Sequence, residues 1–490
     1  MDITIFLFTI ISCVFLLSTW KQRYRKGKLP PGPTPLPVVG NIFQVKRGQI
    51  VKSLLELREK YGSVYTLYMG PRPVVVLCGY DAVKEALVDL GEEFSGRGKM
   101  PAVQRVLHDF GIISGNGERW KQLRRFSLMT LRNFGMGKKS IEERIQEEAL
   151  FLVEELKQMK ESPFNPQLIF NLAVSNVICS IVFHTRFEYD NPKIQHLLHL
   201  FNEVFEILSS GSVQMYDMFP NIMKYMPGRH KKLFKYLEEI LEFGSERVKI
   251  NQKSFDPSST LDFIDCFLKN MEEEKHNPSS EFNMKNLIVC IENLFFAGTE
   301  TVGTTLRCGF LNLLKYPQIT EKLQEEIDVV IGRNRCPNIE DRKNMPYMEA
   351  VIHEIQRYSD LLPMGVIHSV IKDTQFRGFT IPKGTDVIPM LTTVLKDPTQ
   401  FEDPETFDPR RFLDEKGCFK NHEAFMPFST GKRICIGEGL ARMELFLFFT
   451  TILQQFNLQT PIDMKEFDIT PRMTGFANQP PPYQLLLTER

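Results

Sequence analysis

Six long segments, at about 117–132, 140–159, 167–184, 230–251, 284–315 and 318–331, repeat apolar residues at helical spacing. Strands and helices do not alternate along the chain, which disfavours a doubly wound parallel sheet. The strand signals lie at the two flanks of this helical block. VYTLYM at 64–69 and PVVVLC at 73–78 flank Gly70-Pro71-Arg72 and predict a hairpin, and a second β region spans about 366–390. The expected fold class is mainly α with small β-sheets (α+β). A length of 490 residues would suit about two to three domains, but no Gly/Ser linker or low-complexity tract divides the chain after residue 40. Residues 41–490 therefore read as one unit. With 42% hydrophobic and 24% charged residues the chain is neither disordered nor fibrous. Sixty Lys+Arg against sixty Asp+Glu leave no global field to attract nucleic acid, so any electrostatic partner site is local.

Residues 1–20 read as a transmembrane signal anchor. Its run Ile3–Trp20 carries no charge and as a helix would span about 27 Å. Lys21, Arg23, Arg25, Lys26 and Lys28 follow it, and only Asp2 precedes it, which keeps the downstream chain cytoplasmic. A cleaved signal peptide would want a basic start and a small-residue cleavage site, and neither is visible. Residues 21–40 then combine this basic stop with a proline-rich hinge, LPPGPTPLP, which must be extended and reads as a stiff spacer. The nine cysteines are odd in number and contain no CxxC pair, so a disulfide framework or structural zinc site is not expected. Gly437-Glu438-Gly439 fails as a dinucleotide loop, because no strand precedes it and Arg442 stands at the third glycine. A redox enzyme built on this chain would take its electrons from another protein.

The richest stretch is Phe428-Ser-Thr-Gly431-Lys-Arg433-Ile-Cys435-Ile-Gly437, which runs into an apolar, helix-like segment. A cysteine where a glycine-rich loop meets a helix N-terminus gains thiolate stabilisation from backbone N–H groups and the helix dipole. Gly431 and Gly437 would let a flat ligand approach the backbone, Phe428 can shield the sulfur, and Arg433 can reach a carboxylate. The segment resembles the haem-binding loop of the cytochrome P450 monooxygenases, FxxGxRxCxG, with every specified position present. The resemblance extends over essentially the whole chain and is closest to vertebrate microsomal enzymes of family two, subfamily C type.

The resemblance implies haem b (iron protoporphyrin IX) with Cys435 as its axial thiolate and metal ligand. Ala297-Gly298-Thr299-Glu300-Thr301 looks like the family's oxygen-activation motif. Gly298 in a helix interior costs about 1 kcal/mol, and close approach of a porphyrin would be its reason. The Thr301 hydroxyl can compete for the Ala297 carbonyl and open a polar notch, with Glu300 and Thr301 as catalytic acid and relay. Trp120 and Arg124 match WxxxR, and with Arg97 and His368 resemble propionate contacts. Glu354, Arg357 and Arg411 match the ExxR and PxRF elements that form a structural triad in the family.

By the same resemblance, Ile112, Ile113 and Ser114 line the substrate pocket with Phe205, Leu208, Ala297 and Thr301. Leu361, Leu362, Val366, Phe476 and Ala477 complete it. Lys121, Arg125, Arg132, Lys138, Lys139 and Lys432 could form a basic patch for an acidic redox partner. MYDMFPNIMKYMPG at 215–228 suits a loop at a membrane interface or substrate entry, and core packing suits it equally. The expected activity is insertion of one oxygen atom of O2 into lipophilic substrates such as xenobiotics, fatty acids including arachidonate, steroids or retinoids, by hydroxylation or epoxidation. NADPH would act only indirectly, through NADPH-cytochrome P450 reductase, with cytochrome b5 as an optional further partner, at the endoplasmic reticulum membrane. The competing readings are a haem-thiolate isomerase or dehydratase acting on peroxides without a reductase, and a membrane-tethered haem carrier or sensor. Intact Glu300 and Thr301 argue against the first.

Overall fold

The computed structural model describes Ser12 and residues 29–490, apart from 47, 136–138, 464–466, 468 and 474. Except for Ser12, the anchor expected over 1–20 lies outside the described residues, as does the basic stretch at 21–28. Among the described residues no helix is long and apolar enough to cross a membrane. The proline-rich segment is no free spacer from residue 30 onward. Thr66 N–H donates to the Pro31 carbonyl (2.9 Å) and the Asn41 amide to Pro33 (3.1 Å), with Pro30, Pro33 and Pro35 buried. Prolines cannot donate, but their carbonyls can dress a sheet edge, and here they do.

The helices that carry the site are α1 Gly111–Ser114, α2 Gly117–Asn133, α3 Lys139–Gln158, α4 Gln167–Val182, α5 Pro192–Leu208, α6 Gly211–Met218, α7 Arg229–Ser254, α8 Met284–Lys315, α9 Pro346–Ser359 and α10 Glu438–Gln455. The central one is α8, 32 residues long and buried over most of its C-terminal half from Thr299 onward. It packs against α4, α7, α9 and α10. Such all-round burial covers polar residues such as Glu300, Arg307 and Asn312 together with the apolar ones, and each fully buried Leu or Phe contributes about 1.5–3 kcal/mol. The close approach of α4 favours Gly298, because a Cβ there would lie 2.6 Å from Ile178 Cδ1 and displace that side chain. That packing is a second reason for the glycine, beside the expected approach of a flat ligand.

Strands β1 Val64–Met69 and β2 Arg72–Cys78 form the expected hairpin, with Val64 opposite Leu77 and Gly70 turning at φ 61°. The sheet continues through β5 Asp386–Met390, then β4 His368–Ser369, then β3 Gly96–Arg97. β2 and β5 run parallel, whereas β5/β4 and β4/β3 are antiparallel. Arg97 stands directly opposite His368, so a two-residue pairing joins two positions that lie far apart in sequence.

Candidate haem site and substrate cavity

The Cys435 loop is closed by its own backbone. Cys435 N–H donates to the Phe428 carbonyl (3.1 Å), Gly431–Arg433 makes a single 3-10 turn, and Gly437 caps α10. Burial pushes the Cys435 thiol up; the N–H groups of Gly437 and Glu438 and the Arg124 guanidinium pull it down without overcoming that burial. Protein atoms crowd the residue, yet its surface is accessible. Both statements hold for a thiol that opens onto an internal space. Gly437 leaves that space free, since a Cβ there would meet only the Cys435 sulfur, at 3.9 Å. Gly431 has a different reason from the expected one. Its φ is +73° and a Cβ would lie 1.7 Å from the Leu87 carbonyl oxygen, so it is a glycine for contact with protein backbone. The Phe428 ring is half-buried, with the Arg442 guanidinium 5.3 Å from its centre.

Three guanidiniums converge beside this loop. Arg433 lies over the Trp120 ring at 3.8 Å, and Arg124, one helical turn on, at 5.9 Å. Arg433 donates to the carbonyls of Ser95 (2.7 Å) and Gly115 (2.8 Å), Arg97 to those of Ile113 (3.1 Å) and Val366 (3.2 Å), and Arg124 to Ile434 (2.6 Å). None of the three has a carboxylate partner among the described residues. Burial, then Arg97 and Arg124, push Arg433 down to about 8; burial, then Arg124, push Arg97 down to about 10. Buried cations without anions are expensive. Arg433 Nη1 and the Trp120 indole N–H are also buried without an acceptor. The site therefore has buried cations and donors without anions or acceptors, and the two propionates of a haem would supply both. The residues fit the group.

His368 is placed differently from its neighbours. Its Nδ1 meets the Phe94 carbonyl at 2.8 Å, which puts the proton there and leaves Nε2 an acceptor. Burial and Arg97 push it down to about 3, so it becomes a donor to a carboxylate only by taking a second proton.

On α8 the Thr301 hydroxyl donates to the Ala297 carbonyl (2.7 Å), and Thr305 repeats the bond one turn on, to the Thr301 carbonyl (2.8 Å). Two such bonds compete with the helix ladder on one face. Glu300 is buried, receives the Asn171 amide (3.1 Å), and is pushed up to about 7 by burial, with Arg307 opposing. Such a carboxyl exchanges a proton near neutrality.

A cavity of about 660 Å³ lies against this face. Ile113 and Ser114 of α1, Phe205 and Leu208 of α5, and Ala297 and Thr301 of α8 line it, as do Leu362, Val366 and Phe476. Three expected lining residues do not. Ile112 points into the main core, one helical step away from Ile113. Leu361 gives its carbonyl to Asn478 N–H (2.9 Å), and Ala477 is fully buried behind Phe476. The 215–228 segment divides its duties: Tyr216 is buried, Met215 and Met218 line the cavity, and Ile222, Tyr225 and Met226 are exposed.

Glu354 and Arg357 are fully buried and joined by two bonds of 2.7 Å, with Arg411 at 3.2 Å from the same carboxylate. Arg357 also donates to the carbonyls of Leu395, Pro404 and Thr406. Lys121, Arg125, Arg132, Lys139 and Lys432 are exposed, Lys121 pairing with Glu118 and Lys139 with Glu143; Lys138 lies outside the described residues.

Several working residues carry no motif. Asn116 sits at the α2 N-cap position, but its oxygen accepts from Arg97 N–H (2.6 Å) and Arg433 (3.2 Å) instead of capping the helix. Asn293 accepts from the N–H groups of Ile112 (2.9 Å) and Ile113 (3.0 Å) and so holds α1 over the cavity. Glu292 and Phe296 also line that cavity. An Asn or Glu at the helical period of Ala297 and Thr301 was the only available signal.

The family model for Cytochrome P450 matches residues 30–487. Cytochrome P450 2G1 of Rattus norvegicus is 54% identical over 487 residues, 99% of each chain. Cytochrome P450 2C23 of Rattus norvegicus is 53% identical over 487 residues, again 99% of each. Cytochrome P450 2B4 of Oryctolagus cuniculus is 55% identical over 464 residues, 95% of this chain and 94% of that one.

Proposed function

The chain belongs to the cytochrome P450 family, and from that premise we propose that Cys435 is its haem ligand and that Arg97, Arg124, Arg433 and Trp120 hold the propionates. As a family-two member it is a monooxygenase of xenobiotics and lipids that receives NADPH electrons through NADPH-cytochrome P450 reductase, with cytochrome b5 as an occasional partner. Haem, when bound, supplies the iron at which O2 is reduced and one of its atoms passes to the substrate. The chain's own residues do the rest. The three arginines neutralise and orient the propionates. Thr301 holds its hydroxyl on Ala297 at the cavity wall, where it can pass a proton on, and Glu300 can replenish that proton from within the core. The apolar walls exclude water and select by shape. The observation that carries the reading is the cluster of buried guanidiniums without carboxylates beside an accessible Cys435.

An isomerase or dehydratase that needs no reductase would have no use for a titratable Glu300 next to Thr301. The test is turnover with purified reductase: product with NADPH and O2 is expected, and product from a hydroperoxide with none from NADPH and O2 would overturn the reading. In Cys435→Ser, the red-shifted Soret band of the reduced, carbon monoxide-treated sample should be lost. Thr301→Ala should keep consuming NADPH while product per NADPH falls at least about tenfold; unchanged coupling would refute the relay.

Its relatives are microsomal, and the finer arrangement we infer is a single-pass anchor at residues 1–20 with residues 41–490 as one cytoplasmic haem domain. Exposed Val38, Phe43, Ile222, Tyr225 and Met226 would add a second contact with the bilayer surface. The reductase would dock on the exposed basic residues that include Lys432 of the cysteine loop.

A further inference from the structure

A chain of side chains runs from α9 to the start of α10 and takes no part in holding propionates or moving protons. Glu438 opens α10 three residues after Cys435, and its charge raises the Cys435 thiol while its backbone N–H lowers it. Arg442, one turn on, donates to one oxygen of the Glu438 carboxylate from Nε (3.0 Å) and Nη2 (2.9 Å). Its third donor, Nη1, reaches Nε2 of His353 on α9 at 2.9 Å. His353 Nδ1 meets the Glu349 carbonyl at 2.8 Å, which puts the proton there and leaves Nε2 the acceptor that Arg442 needs. Burial pushes His353 down to about 4, against the pull of the Glu349 carboxylate, so the ring is neutral at pH 7. Phe425, Phe419 and Phe412 box the imidazole in, with ring centres 4.5, 4.6 and 5.4 Å away. Arg342 in turn clamps the Glu349 carboxylate with two donors. An i,i+4 ion pair on a free helix surface is worth little, because both side chains roam. This one is pinned from a second helix by a buried ring.

We propose that His353 and Arg442 are positioning residues for the haem thiolate: the imidazole holds the guanidinium on Glu438, and the charge balance so fixed beside Cys435 sets the reduction potential of the bound iron. The inference rests on the haem-thiolate reading above and adds to it two residues that need touch neither haem nor substrate. A negative charge near the sulfur favours oxidised iron and a positive charge favours reduced iron, so a carboxylate and a guanidinium held together leave the potential between those limits. Glu438 alone would pull it negative, and Arg442 alone would pull it positive. The guanidinium also lies 5.3 Å from the Phe428 ring and 5.8 Å from the Phe425 ring, so the same clamp reaches the aromatic residue that begins the cysteine loop.

The test is an equilibrium redox titration of the full-chain, haem-loaded protein against indicator dyes, without reductase, so that docking cannot affect the reading. Arg442→Gln should lower the equilibrium constant for one-electron reduction at least about threefold, a shift of about 28 mV to more negative potential. Glu438→Gln should raise the constant by a similar factor, and the double variant should return to within about 1.5-fold of wild type. His353→Phe keeps an aromatic body in the phenylalanine box and removes the acceptor. It should lower the constant in the wild-type background and leave it unchanged beside Glu438→Gln. Unaltered potentials in Glu438→Gln and Arg442→Gln would make the pair a brace for α10 only, and would overturn the proposal. So would an Arg442→Gln shift that persists in full in the double variant. Should Arg442→Gln fail to retain haem, Glu438→Gln decides alone, and a potential that does not rise refutes the proposal. The red-shifted Soret band of the reduced, carbon monoxide-treated wild type is scored separately: its absence refutes the haem-thiolate reading, whereas the titration judges His353, Arg442 and Glu438.

Discussion

Glu300 shows how a single side chain can be held against its own chemistry. Its carboxyl has an ordinary value of 4.5 and is pushed up to about 7 in the fold. Between those limits the folded chain keeps a proton that the unfolded chain has released, so stability must fall as pH rises through that window and level off above it. A displacement of this size corresponds to about 3 kcal/mol at most, lost by pH 8. Glu300→Gln keeps an oxygen for Asn171 and removes the titration. Denaturant unfolding should therefore find the variant more stable than wild type at pH 8 by about 1–3 kcal/mol, with the gap closing toward pH 5; an equal gap at both pH values would contradict the assignment. The residue types in Ala297–Thr301 were legible, and so was the hydroxyl bond from Thr301 to Ala297, because both follow from helical spacing. The second reason for Gly298 was not, since Ile178 reaches it from another helix.

Elements transmit such constraints through their ends and crossings. The cysteine loop is shaped by where it touches the rest of the fold: Gly431 rests on the Leu87 carbonyl in a left-handed conformation that costs an L-residue about 1–2 kcal/mol before any clash. Gly431→Ala should displace the loop and reduce haem retention severely, as judged by haem-to-protein ratio after purification, whereas Gly437→Ala meets only a sulfur at 3.9 Å and should fold. Helix boundaries followed closely from periodicity, 284–315 included, because an apolar stripe is a local property. The proline-rich segment misled for the opposite reason. Its extended backbone is local, but its lodging against β1 depends on Thr66 N–H needing an acceptor.

Across the whole molecule, the Glu354–Arg357–Arg411 triad ties α9 to the 395–411 segment that leads into the cysteine loop. Its energy is asymmetric: the intact set is satisfied by carbonyls and carboxylate, but removing the carboxylate orphans a fully buried guanidinium. Glu354→Ala should lose about 3–5 kcal/mol, read as a lowered denaturation midpoint with loss of haem; normal haem content in the purified variant would refute this. The class of fold was legible from periodicity, whereas the cysteine ligand and the ExxR and PxRF residues were legible only through resemblance to the family's motifs, whose residue types stand at fixed offsets along one stretch of chain. Convergence was not legible. Arg97 meets His368 through a strand pairing, Arg433 of the cysteine loop stacks on Trp120 of α2, and Asn116 leaves its helix cap to serve both arginines. Those contacts depend on which distant backbone needs a partner, and unmet hydrogen bonds and buried charge are settled only when the chain has closed on itself.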